Sequence, residues 1–186
     1  MNNLCFNNIV KGRYGRKTAY ANYESVDENN VIDIVNRGMS IFYYNKPAIE
    51  YLWGYVHGDQ PSLYRKKIVR DDIVNYVVEN HAWEIVQFKT SQTYGEPIQY
   101  ISRKDDESIN KAVDLLNDYV IDVHKQARDI KSGEWQSAVG TAYKAVQRAA
   151  GMDTPFRIVV PTPLNTFVIY SKIRRAIVGC ANFGKQ

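Results

Sequence analysis

The stretch 45–103 constrains this chain most, because two helix-period patterns, a run of cations and a strand-like segment follow one another with no spare linker. Asn45 reads as a helix cap with Pro47 in the first turn, where a missing N–H does no harm. Ile49, Leu52, Trp53 and Val56 then give that helix a buried face, and Gly58 closes it. Gly54 inside it costs up to about 1 kcal/mol relative to alanine, which calls for a neighbour packed closely there. Asp59-Gln60-Pro61-Ser62 is turn chemistry, and Arg65, Lys66, Lys67 and Arg70 follow, balanced by Asp71 and Asp72. The next helix is expected over 72–90. Ile73, Val74, Val77, Val78, Ala82, Ile85, Val86 and Phe88 form a surface too broad for a helix with one wet side, so it should lie at the centre of the fold. Tyr94-Gly95-Glu96-Pro97 breaks it, and 97–102 reads as a short strand.

The rest of the chain takes its place around that stretch. Residues 1–24 have no sustained period; Lys11, Arg13, Arg16 and Lys17 precede the first acidic residue, Glu24, so this is an irregular basic arm. A helix capped by Ser25 or Asp27 uses Val31, Ile34 and Val35 and stops at Gly38, with 39–44 as a bridge. Two more helices are expected over 106–120, with Ile109, Val113, Leu116 and Val120 on one face, and over 121–138, split at Gly133. Beyond Gly140 the texture changes to strands at 141–148, 156–160, 166–170 and 175–180, separated by Gly- and Pro-bearing turns. The fold class is α+β: a helix-rich N-terminal part followed by a small antiparallel β-meander, with 25–186 as a single domain.

With 186 residues and 45% hydrophobic content the chain has enough apolar matter for a core. The net charge of +4 permits an acidic partner without requiring one. Cys5 and Cys180 are isolated and read as reduced thiols, and no run approaches the roughly 20 apolar residues of a membrane span. Chemistry is sparse. His57, His81 and His124 lie on separate helices with no second ligand at i+3 or i+4, which leaves metal coordination unsupported. There is no phosphate-cradling glycine loop, no nucleophile elbow and no histidine beside either cysteine. The expectation is a non-enzyme with no cofactor, metal or catalytic residue. The candidate contact residues are Arg13, Arg16 and Lys17 in the arm and Arg65, Lys66, Lys67 and Arg70 in the turn, touching either other subunits or DNA phosphates.

Several short motifs in order carry more than this chemistry. Tyr55-x-x-Gly58-Asp59-Gln60-Pro61 is followed by Arg65-Lys66-Lys67. Next comes Asn75-x-x-Val78-Glu79-Asn80-x-Ala82-x-x-Ile85-Val86-x-Phe88-Lys89, then Tyr94-Gly95-Glu96-Pro97-Ile98-Gln99-Tyr100. Gly140-Thr141-Ala142-Tyr143 and Pro163-Leu164-Asn165-Thr166-Phe167-Val168-Ile169-Tyr170 complete the series. Together they resemble the portal proteins of tailed bacteriophages, of the Gp6-like family. The resemblance implies a structural component of a homo-oligomeric ring, usually a dodecamer, at one capsid vertex of the virion, assembled in the bacterial host cytoplasm. Double-stranded DNA passes through such a ring during packaging and ejection. Terminase, scaffold or major capsid protein and a head-tail adaptor are the implied partners, with no membrane involved. Family members are far longer, and the stem, clip and crown segments have no counterpart in 1–186, so a portal wing region is the expected match. The other class left open by the residues is a stand-alone nucleic-acid-binding module using the arm and the 65–70 turn.

Overall fold

A computed structural model of the chain describes residues 16–59, 79–104, 106–149 and 154–183. The element order is β1 (Ala19–Ala21), α1 (Val31–Val56), α2 (His81–Tyr94), α3 (Glu107–Asp122), α4 (Lys125–Val139), β2 (Ala145–Arg148), β3 (Phe156–Val159), β4 (Thr166–Ser171) and β5 (Ile177–Asn182). The fold is α+β. Two compact units divide it: the first takes the chain up to Glu84 and resumes at Pro163, and the second is the continuous run Ile85–Thr162.

The first unit is a three-stranded sheet, β1-β4-β5, covered by α1. β4 and β5 pair antiparallel, while β1 pairs parallel with β4 in the register Ala19↔Ile169 and Ala21↔Ser171. Alternation explains the sheet's two faces: along β1, Ala19 and Ala21 are buried and Tyr20 is exposed. The core is Ala19, Ala21, Ile34, Phe42, Phe167 and Ile169, with the rings of Phe42, Phe167 and Phe183 in tilted contact at centroid distances of 5.6–6.0 Å.

α1 overturns the expectation of two helices separated at 39–44. It runs unbroken for 26 residues through both Gly38 and Pro47. Buried Ile34, Gly38, Phe42, Ile49 and Val56 recur along its length, so apolar contact over the whole helix outweighs the local cost of an interior glycine and proline. Gly38 does not stop the helix; a Cβ there would lie 2.1 Å from Phe167 Cε2 and 2.8 Å from Ile169 Cδ1. The missing side chain is what brings the helix backbone down onto β4. Asn45 caps nothing, because its carboxamide is spent elsewhere. Asp27 and Asn30 instead exchange backbone N–H to side-chain oxygen bonds ahead of the helix. Gly58, at φ +97°, follows the C-cap His57 as expected. A Cβ on Gly54 meets only Asp59 at an ordinary 3.5 Å, so no close approach among the described residues demands that glycine.

The second unit packs the later part of α2 with α3, α4 and the β2–β3 hairpin. The helix expected over 72–90 begins at His81 and runs on to Tyr94; the part of the expectation before Glu79 lies outside the described residues. It is not a central helix. Val86 and Thr90 alone are buried on it, while Ile85 and Phe88 are exposed. Residues 97–102 form no strand, and no described segment of the unit pairs with them; both the N–H and C=O of Tyr100 are satisfied by the Asn117 carboxamide at 3.0 Å. α4 continues straight through Gly133, whose absent Cβ admits the Tyr94 ring (2.6 Å) and Thr90 Cγ2 (3.2 Å). Trp135, Ala138 and Val139 bury the far end of α4, and Ile158 of β3 is buried where that strand meets α4. The four later strands are present but are not one meander: β2–β3 and β4–β5 are separate antiparallel pairs in different units.

Candidate functional site

Two surfaces gather the polar chemistry, one in each unit. In the first unit α1 presents Asn45 to the chain just ahead of β1. Lys17 N–H donates to Asn45 Oδ1 and Asn45 Nδ2 donates to Lys17 C=O, each at 2.8 Å, so one carboxamide holds both backbone groups of Lys17. The Lys17 ammonium sits 4.0 Å from the Tyr44 ring centroid, a cation–π contact on the same helix flank. Arg16 beside it is half-buried and engaged. A groove of about 470 Å³ adjoins, lined by Thr18, Tyr20, Asn36, Arg37, Ser40, Ile41 and Lys172. Its lining offers hydrogen-bond donors from both hydroxyl and cationic groups, with the Arg37 Nε–H directed at Asp33 at 2.9 Å.

The sequence-derived contact residues are thus only partly placed. Arg16 and Lys17 stand on this flank. Arg13, Arg65, Lys66, Lys67 and Arg70 lie outside the described residues.

Near the end of α1 a second feature was not anticipated. The His57 ring lies between Trp53 (4.1 Å) and Trp83 (4.8 Å), and its Nδ1 is 2.9 Å from the Trp53 carbonyl. Asn80 Nδ2 donates to the Val56 carbonyl at 2.6 Å. At the start of α2, His81 reaches Glu84 Oε2 at 3.0 Å and Glu79 Oε2 at 3.2 Å. Those bonds, from Glu84 first and then Glu79, raise the imidazole above its ordinary pKa.

In the second unit a cleft of about 600 Å³ opens between residues 94–99, the end of α3 and the start of α4. Pro97, Ile98, Val120 and Ile121 give it apolar walls, and Gln126 Nε2 closes one side by donating to the Gly95 carbonyl at 2.7 Å. Asp129 lies at its base with only 6% of its side chain exposed, bonded by the ammonium groups of both Lys125 and Lys144. Burial alone would raise that carboxyl, but the two lysine hydrogen bonds and charges hold it below the ordinary carboxylate value. The Lys125–Asp129 pair was legible as an i, i+4 spacing; Lys144, fifteen residues beyond Asp129, carried no such signal. Among the described residues no group of three His, Cys, Asp or Glu is placed to hold a metal ion, and no helix is long and apolar enough to cross a membrane.

The phage portal protein family, SPP1 Gp6-like, matches residues 35–185. The chain belongs to that family. The matched range takes in most of α1 and every later element of both units. No curated protein matches the chain. Portal proteins of this family are structural and not enzymatic, they assemble as oligomeric rings in the phage head, and they are components of the virion.

Proposed function

We propose that this chain is the wing-forming part of a phage portal ring, at the capsid vertex where DNA is packaged and later ejected. The observation that carries the reading is the family match over residues 35–185. Exposed apolar residues support it: Ile32 is 71% exposed, Phe88 63% and Ile101 84%, more apolar surface than a solitary subunit needs. In a cyclic ring each copy offers two different surfaces to its neighbours, so such residues are subunit contacts. The ring is homo-oligomeric and non-catalytic, it is assembled in the bacterial host cytoplasm, and it meets terminase, scaffold or capsid protein and a head-tail adaptor. Arg13, Arg16, Lys17, Arg65, Lys66, Lys67 and Arg70 serve subunit contact.

Mass by light scattering tests this on the 186-residue chain beside a version lengthened by any downstream reading frame. A ring in the lengthened form supports the reading, and a small monomer in both sinks it. The K66E/K67E variant should disturb assembly more than DNA affinity. A second reading, a nucleic-acid-binding module, draws on Lys17, Arg37 and Lys172 around the first unit's groove. DNA affinity that falls steeply with salt, weakened by K66E/K67E while mass stays unchanged, would favour it.

A further inference from the structure

The sheet of the first unit ends in two open edges, since the order β1-β4-β5 places β1 and β5 at opposite ends. On β1 the Ala21 carbonyl accepts from Lys172 N–H, so in this parallel register Ala19 and Ala21 turn both backbone groups toward β4. Tyr20 between them turns its N–H and C=O the other way, and among the described residues nothing bonds them. On β5, Phe183 N–H donates to the Asn165 carbonyl in the register Thr166↔Asn182. Hydrogen-bonded pairs therefore fall at Phe167·Ala181 and Ile169·Gly179, and Cys180, opposite Val168, turns its backbone groups outward. Neither edge is guarded. Residues 18–23 and 177–182 hold no charge and no proline, the usual devices that keep an exposed edge from pairing. Thr18 and Tyr20 also line the groove of about 470 Å³ against α1, so the β1 edge borders open space.

We propose that β5 of one copy pairs with β1 of the next, so that the sheet runs on from subunit to subunit. This pairing rests on the ring assembly proposed above. A cyclic ring joins two different surfaces of one subunit, and the opposite ends of one sheet are two such surfaces. β1 is parallel and β5 antiparallel to β4, so β1 and β5 run antiparallel to one another. A neighbour set in line, with its α1 on the same face of the sheet, therefore meets β5 with an antiparallel β1. The side chains agree with that placement. Ala19 and Ala21 pack in the core with Ile34 and Phe42 of α1, and Gly179 lies against Ile34, whereas Tyr20 and Cys180 are exposed on the other face. Main-chain hydrogen bonds hold such a contact, and the alternating side chains fix its register.

Disulfide trapping tests this on the full chain, with C5S leaving Cys180 as the native thiol and T18C, Y20C or N22C added one at a time. Within one copy β4 separates the two edges by about 9.5 Å, further than a disulfide spans, so each bond formed joins two copies. On mild oxidation at least one of the three should give a ladder past the dimer on a non-reducing gel. It should form at least tenfold faster than with I101C, an exposed position in the second unit, and C180S should stop it at the dimer. In the unsubstituted chain the Tyr20 and Cys180 amides should exchange with deuterium at least tenfold more slowly when assembled than when dissociated. Light scattering reads ring assembly separately. A ring in which no variant cross-links faster than I101C, or in which the two amides exchange at the dissociated rate, overturns the pairing and leaves the ring standing. Cross-linking in all three that ends at the dimer means a symmetric contact and overturns it as well. So does a Tyr20 amide already protected in the monomer, which would mean that the chain covers its own edge. A monomer that forms no ladder sinks both the pairing and the ring.

Discussion

Gly38→Ala offers the sharpest test of how the first unit is held together. A methyl at residue 38 is placed 2.1 Å from Phe167 Cε2 and 2.6 Å from Cδ2, against an ordinary contact of about 3.5–4.0 Å, so helix and strand must separate by more than 1 Å or the ring must turn. Phe167 is 4% exposed and packed on both Phe42 and Phe183, which leaves the ring nowhere to go. Overpacking of this kind costs about 1–3 kcal/mol. The severity of the overlap argues for the upper end, and alanine's better helix propensity returns up to about 1 kcal/mol. The net is a loss of about 2 kcal/mol, roughly 10 °C in Tm for a unit of this size. F167A alone removes a packed ring and should cost about 3–5 kcal/mol. In that background, however, the obstruction is gone, and G38A should be neutral or slightly stabilising. Urea denaturation followed by far-UV circular dichroism on the four chains of this cycle gives the coupling, expected at about 2–3 kcal/mol. If the two substitutions simply add, the helix does not rest on Phe167 through Gly38 and the packing argument is wrong.

Three further outcomes are expected. D129N leaves the ammonium groups of Lys125 and Lys144 without their shared carboxylate, and it should cost about 2–3 kcal/mol, below a fully buried pair because Lys144 can turn to water. Because Asp129 titrates lower when folded than when unfolded, its contribution is present above the ordinary carboxylate range and lost as pH falls through its folded value. The urea midpoint of the parent should therefore drop in acid more steeply than that of D129N. In N45A the two bonds to Lys17 disappear, and amide exchange at Lys17 and through β1 should quicken while the global melting temperature moves little. For His81, proton NMR should give a titration above the ordinary histidine range, lowered more by E84Q than by E79Q; any stability it lends is present at low pH and fades as pH rises through that raised value.

Much of the helical part was legible because its signals are local. Asp106 accepts from the Ser108 and Ile109 amides and starts α3, and Gly140 at φ +69° ends α4, both within a residue or two of expectation. The misread places are those where distant contacts decide. Gly38 and Pro47 look like breaks in any local window, and only the strand beneath α1 shows why the helix continues. β1 is three residues within a stretch read as an arm, and it becomes a strand because Ala19 pairs with Ile169, 150 positions along the chain. Residues 97–102 have strand-forming side chains, yet the structure offers them Asn117 instead of a neighbouring backbone. Of the candidate surfaces, the basic arm was visible as a charge run. The cleft of the second unit was not, since residues 94–99, the end of α3 and the start of α4 are brought to one opening only by the fold.

The division of the chain has a consequence for synthesis. The second unit is one uninterrupted run, Ile85–Thr162, whereas the first needs both ends: α1 and β1 emerge early, but the strands that cover Ile34, Gly38 and Phe42 arrive with residues 166–182. On the ribosome the second unit can therefore complete its contacts while α1 still waits with an open apolar face. For that interval the nascent chain carries an uncovered apolar surface on α1, and a ribosome stalled anywhere short of β4 would leave that surface exposed.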